Sequence, residues 1–145
     1  MSRPTLKHFA ASEFGVWWLL MNRDLLLKLD AFRIAWGAPV AITTAQGGIG
    51  REDGSNSQHN ITKWGEVRAI DVMPQGMVTA ADRQRAVAIA KQVGFTGIGI
   101  YPDWQPRAGI HLDVREPETP GHVATWSGLN VNGEQVYAAI EQGLA

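Results

Sequence analysis

Apolar residues recur along this chain with two different periods. Leu25, Leu29, Phe32 and Trp36 fall three or four apart and form one stripe, the mark of a helix with one buried face. Asn22 stands where its N-cap belongs, and Gly37, with Pro39 just beyond, where it must stop. A second helical run turns Ala86, Ile89, Ala90 and Val93 inward. Thr79 caps it, Asp82 three residues on completes a capping box, and Gly94 closes it. Elsewhere the period is two. Residues 67–73 put Ile70 and Val72 on one face and Ala69 and Asp71 on the other. Residues 110–114 send Ile110, Leu112 and Val114 to the core and His111 and Asp113 the opposite way. Residues 40–44 are rich in β-branched side chains and read as a strand, and 95–101 read as a strand interrupted by glycines.

The intervening stretches are polar or rich in Gly and Pro. Residues 1–11 read as a short leader, with Ser12 as an N-cap and Glu13 in the first turn. Residues 46–56 form a long glycine-rich loop without the Gly-x-x-x-x-Gly-Lys pattern of a phosphate cradle. Loops of this length in small domains are often functional. Residues 102–109 and 116–130 read as loops, and Asn132 as the cap of a last helix using Val136, Tyr137, Ile140 and Leu144. The expected architecture is one α+β domain over residues 1–145, a small antiparallel sheet flanked by helices.

Composition narrows the chemistry. The 145 residues are 45% hydrophobic, enough for a core without staples, and the net charge of −1 shows no basic footprint for nucleic acid. There is no cysteine, so metal ligation falls to His, Asp and Glu. No stretch is long enough to span a membrane, and the apolar run from Val16 to Met21 is too short for a secretory core. The expectation is a protein made in the cytoplasm, a monomer, without an export signal. Six tryptophans either fill core and surface or, for Trp104 and Trp126 beside Gly and Pro, line a groove.

His59, Asp71 and His111 are the candidate metal ligands. A catalytic zinc takes three protein ligands and keeps one position open, and imidazole and carboxylate suit it. His59 follows the flexible loop, whereas Asp71 and His111 sit on strands that would present them side by side. Asp113 shares the face of His111, where it either orients that ligand or takes part in proton transfer. The plainer alternatives are a surface histidine, and an Asp71 paired with Arg68 or Arg51. His8 and His122 have no ordered context.

These residues resemble the zinc peptidases of the D-alanyl-D-alanine carboxypeptidase family (LAS-type), which includes phage endolysins and murein endopeptidases. Ser57-Gln58-His59 is similar to its Ser-x-His stretch, Gly65 with Ala69-Ile70-Asp71 to its Gly-x-Ala-x-Asp, and Ile110-His111-Leu112-Asp113-Val114-Arg115 to its last strand. Gly99-Ile100-Tyr101-Pro102, Ser12-Glu13-Phe14 and the 39–44 strand extend the likeness over residues 9–127. Two departures stand out. Eleven residues separate His59 from Asp71, where a shorter spacing is usual, so 60–66 would loop out. Several members carry a carboxylate three residues before the last His, where this chain has Ala108.

The resemblance implies a Zn2+ held by His59, Asp71 and His111 and hydrolysis of peptide bonds in the stem of peptidoglycan. It leaves the general base to Asp113, then Asp103, then Glu66. Arg51 becomes the partner of substrate carboxylates, and Ser57 bonds substrate or braces the loop. Without an export signal, such an enzyme would reach the wall through lysis, a holin or a virion, which implies a phage or prophage origin. The hedgehog signalling domain, which resembles this family, sets the alternative of a non-catalytic zinc-binding or virion structural module.

Overall fold

A computed structural model describes residues 3–145. Among them, six strands form one mixed sheet in the order β1-β2-β4-β3-β5-β6. The strands are β1 (Val40–Ile42), β2 (Ala69–Pro74), β3 (Gly97–Tyr101), β4 (Gly109–Asp113), β5 (Ala124–Val131) and β6 (Glu134–Ala138). Every pairing is antiparallel except β3 with β5. The sheet is therefore mixed rather than antiparallel, while the α+β class stands.

The core lies on one face of the central strands. Ile70, Val72, Ile98, Ile100, Ile110 and Leu112 are fully buried there. Helices α1 (Arg23–Trp36) and α3 (Ala80–Val93) supply Leu25, Leu29, Phe32, Trp36, Ala86 and Ala90 to the same cluster. Their caps agree with the sequence. The Asn22 side chain accepts from the Leu25 N–H, Thr79 and Asp82 form a reciprocal box, and Gly37 and Gly94 close the helices in the left-handed region.

Four expectations change. The segment 3–11 is part of the fold: the Lys7 and His8 N–H groups donate to the buried Asp30 carboxylate, and Phe9 is buried. Met1 and Ser2 lie outside the described residues. Ser12 is not an N-cap; it lies inside a 3-10 segment that runs from Ala11 to Leu20, where Glu13 accepts from the Ala10 N–H. Residues 60–66 do not merely loop out. They form a one-turn helix, α2 (Ile61–Trp64), capped by Asn60 and closed by Gly65 at φ 73°. That helix takes up the long spacing between His59 and Asp71.

The fourth change is the largest. The 116–130 loop and the last helix give way to β5, β6 and a short α4 (Ile140–Gly143). Asn132 and Gly133 both have positive φ, 53° and 86°, and join β5 to β6 as a two-residue turn. Asn-Gly between two extended runs is a hairpin signal; of the residues that suggested a helical stripe, Val136 and Tyr137 are exposed positions of β6, while Ile140 is buried in α4 and Leu144 caps it.

Candidate metal centre

Period-two alternation puts Ala69 and Asp71 of β2, Gly97, Gly99 and Tyr101 of β3, and His111 and Asp113 of β4 on the face away from the core. Asp71 pairs directly with His111, and His111 with Gly99. Two glycines in β3 are spaces for larger neighbours. A Cβ on Gly97 would lie 2.2 Å from the Asp113 carboxylate, and one on Gly99 would lie 2.4 Å from the Trp126 indole nitrogen. The broken strand pattern is thus the imprint of two side chains that lean across it.

His59 reaches the same place from the loop side. Its backbone is clipped by Arg51 N–H to the His59 carbonyl and by Arg68 N–H to the Gln58 carbonyl. The glycine-rich loop docks beside it: Asp71 N–H donates to the Gly48 carbonyl, and a Cβ on Gly48 would strike Thr43 at 2.1 Å. Ser57 braces this turn, its hydroxyl accepting from the His59 N–H at 3.2 Å.

The three candidate ligands converge. His59, Asp71 and His111 are all buried, and one ligand atom from each lies within 4.8 Å of the others, a group that can hold a metal ion. His59 Nδ1 is 2.6 Å from the Ile49 carbonyl. A carbonyl only accepts, so that nitrogen carries the proton and Nε2 presents its lone pair. This buried Nε2 has no hydrogen-bond partner, although it lies 3.3 Å from Asp71 Oδ1. The distance suits an ion pair, but the alignment does not suit a hydrogen bond. His111 repeats the logic: Nε2 is 2.7 Å from Asp113 Oδ2, leaving Nδ1 to face Asp71 Oδ1 at 3.0 Å. Two imidazole lone pairs and a carboxylate oxygen facing one another call for a cation between them, and ligands around a tetrahedral zinc sit roughly 3.3–3.5 Å apart.

Without metal, protons fill that need. Burial opposes charge on His111, but hydrogen bonds to Asp113 and Asp71 outweigh it and push the ring up to about 9. Burial would raise Asp71 and Asp113 as well. Hydrogen bonds from His111, with the nearness of the His59 ring for Asp71 and the Arg115 guanidinium for Asp113, hold both carboxyls well below the usual range. A raised histidine stabilises the fold below its unfolded value of about 6.5, and that stability is lost as pH climbs through its folded value. The lowered carboxylates stabilise above about 3.9 and lose that below it. Protein stripped of metal should therefore melt highest between about pH 4 and 6.5 and lose several degrees toward pH 9. Adding zinc should restore the alkaline side, since a cation replaces the departing proton. Thermal melts across pH with and without chelator check both limbs.

The other candidates fall in different places. Asp113 is fully buried, bonded to His111 and gripped by Arg115 through Nε at 2.9 and 3.1 Å and Nη2 at 2.5 Å. It touches the ligand rather than the open cleft, as an orienting group does. Asp103 accepts from the Asn130 N–H and lines a separate recess with Trp104 and Gln135. Glu66 binds Asn22 and Arg68. Neither joins the centre. Arg51 and Ser57 do line the cleft of about 420 Å³ into which His59 and His111 open. Arg51, its Nε held by the Gly47 carbonyl, also borders a larger groove of about 960 Å³ between residues 12–17 and the glycine-rich loop. Of the two tryptophans, Trp126 lines the cleft beside His59 and His111 and Trp104 does not.

Tyr101, Arg115 and Tyr137, to which the sequence pattern assigned no role in the site, complete the cleft wall. The signal for Tyr101 was present: it lies two positions after Gly99, on the ligand face. None of the residues lining this cleft is Asp or Glu. No family model, curated protein or solved structure matches the chain.

Proposed function

We propose that this chain is a zinc-dependent peptidase that hydrolyses a peptide bond in the stem or cross-link of peptidoglycan. The observation that carries the reading is the buried, unpartnered Nε2 of His59 facing Asp71 and His111 at the floor of an open cleft. His59, Asp71 and His111 would hold a zinc ion, which would supply a Lewis acid and bring the pKa of water down to about 7. The chain's own residues set the rest. The Ile49 carbonyl and the Asp113 carboxylate fix which nitrogen each imidazole presents. Arg51 borders the cleft with a cation suited to the carboxylates of a peptide stem. Ser57 braces His59 through its hydroxyl and lines the cleft beside it. The choice of peptidoglycan rests on the likeness of the Ser57–His59, Ala69–Asp71 and Ile110–Arg115 stretches to the carboxypeptidase family. On the same likeness, the proposed site of action is the cell wall, reached through lysis, a holin or a virion.

A second reading has one specific observation in its favour. With no carboxylate in the cleft wall, the usual acceptor of the water proton is missing, as in a module that binds zinc and wall peptide without cleaving. Zinc-loaded protein incubated with purified peptidoglycan should release new amino groups, chelation should stop this, and added zinc should restore it. Sedimentation with the wall but no new amino groups favours the module. Neither binding nor release defeats both readings.

A further inference from the structure

We propose that Tyr101 is the hydrogen-bond donor that receives an oxyanion in this cleft, in a wall that offers no carboxylic acid for the purpose. The hydroxyl is placed by three contacts. Its ring stacks on Trp104 with centroids 4.1 Å apart and planes 20° from parallel. The other side rests in the space left by Gly128, where a Cβ would lie 2.4 Å from the ring. The Trp126 indole N–H donates to the hydroxyl oxygen at 2.8 Å. That bond uses an oxygen lone pair and leaves the phenolic proton to be donated.

The placement is tied to the metal ligands. Trp126 leans over Gly99, and its ring lies 5.0 Å from that of His111. Tyr101, Trp126, His59 and His111 all open on the same cleft. Two other hydroxyls line the cleft. Ser57 also accepts a single N–H and keeps its own proton, but it sits on a loop turn, and Tyr137 is 64% exposed on β6, whereas Tyr101 is 6% exposed and anchored on a central strand. Burial keeps the Tyr101 phenol protonated well above its usual range; the Trp126 N–H opposes this, and Tyr137, by its charge and as an acceptor for the phenolic proton in the absence of an oxyanion, and the Asp71 charge add to it. A neutral donor held in place on the wall of the cleft that His59 and His111 also line is an arrangement that stabilises developing negative charge.

The chemical role rests on the peptidase reading. Water oxygen bonds to the peptide carbon, and the carbonyl π pair moves onto oxygen, where the Tyr101 O–H donates. Collapse reforms C=O and breaks C–N, and the proton lost by water ends on the leaving amine. Tyr101 keeps its proton throughout, so it titrates in neither direction.

Tyr101→Phe retains the ring between Trp104 and Gly128 and removes only the hydroxyl. Inorganic phosphate, a tetrahedral oxyanion, is the probe. Titrated calorimetrically into zinc-loaded protein, it should bind the Phe variant about 10–100-fold more weakly than the wild type, the range for a hydrogen bond to a charged group. Zinc content should stay unchanged, and the melting temperature should fall by only a few degrees, the cost of leaving the Trp126 N–H without its acceptor. On peptidoglycan, kcat should fall about 10²–10³-fold with little change in KM. Equal phosphate affinity in the two proteins overturns the assignment, and so does a wild type that binds no phosphate. Hydroxyl-dependent phosphate binding in a protein that releases no amino groups retains Tyr101 as the oxyanion donor and defeats the peptidase reading alone.

Discussion

Replacing His111 with alanine should leave a folded protein that no longer retains zinc. Two of the three donors remain, His59 Nε2 and Asp71 Oδ1, but the third nitrogen is gone. Loss of a direct ligand should weaken zinc binding by more than the roughly 10–100-fold typical of the groups that only orient ligands. Release of amino groups from peptidoglycan should drop to the level of the chelated wild type. The fold should survive because Asp113 keeps its paired contacts to Arg115 after the ring is removed. The variant carries a second signature. His111 is the group whose raised pKa stabilises the metal-free protein at mildly acid pH, so the fall in melting temperature between about pH 6.5 and 9 should vanish with it. Zinc bound at one ion per chain in this variant would remove His111 from the ligand set, whatever happened to activity.

How much of this was legible depended on the kind of signal. Asn22, Thr79, Gly37 and Gly94 announced helix ends because capping is local: it needs only a side-chain oxygen or a left-handed residue at one place. The alternation around Asp71 and His111 put the ligands on one sheet face for the same reason. Signals that needed a partner elsewhere were lost. Gly97 and Gly99 look like strand breakers until Asp113 and Trp126 are seen to occupy their missing side chains. Trp126 lies on β5, whose parallel pairing with β3 joins positions far apart in sequence. Val136, Tyr137, Ile140 and Leu144 match a helical stripe, yet the adjacent Asn132-Gly133 turn decides the outcome. The spacing of His59 and Asp71 looked anomalous only because α2 was not foreseen; Asn60, which caps it, also ties the loop down through the Asp53 and Ser55 carbonyls.

Asp113→Asn separates two jobs that share one position on the strand. The carboxylate accepts from the His111 ring on one side and from Arg115 on the other, with no surface left to solvent. An asparagine oxygen can still accept from His111, but its amide N–H₂ would then be turned toward the guanidinium, donor against donor. Disrupting this half-buried, charge-assisted pair costs about 1.5–3 kcal/mol, which should show as a lower melting temperature. Zinc affinity should fall about 10–100-fold, because the imidazole loses the charged partner that raises its basicity. Turnover with saturating zinc should nonetheless return to within about tenfold of the wild type, a margin smaller than the 10²–10⁴-fold contribution of a general base. A group that takes the water proton would behave otherwise: kcat would stay down by at least about 10² at every zinc concentration. Recovery by zinc is expected because the cleft wall contains His111 and Arg115 but not the carboxylate lying between them.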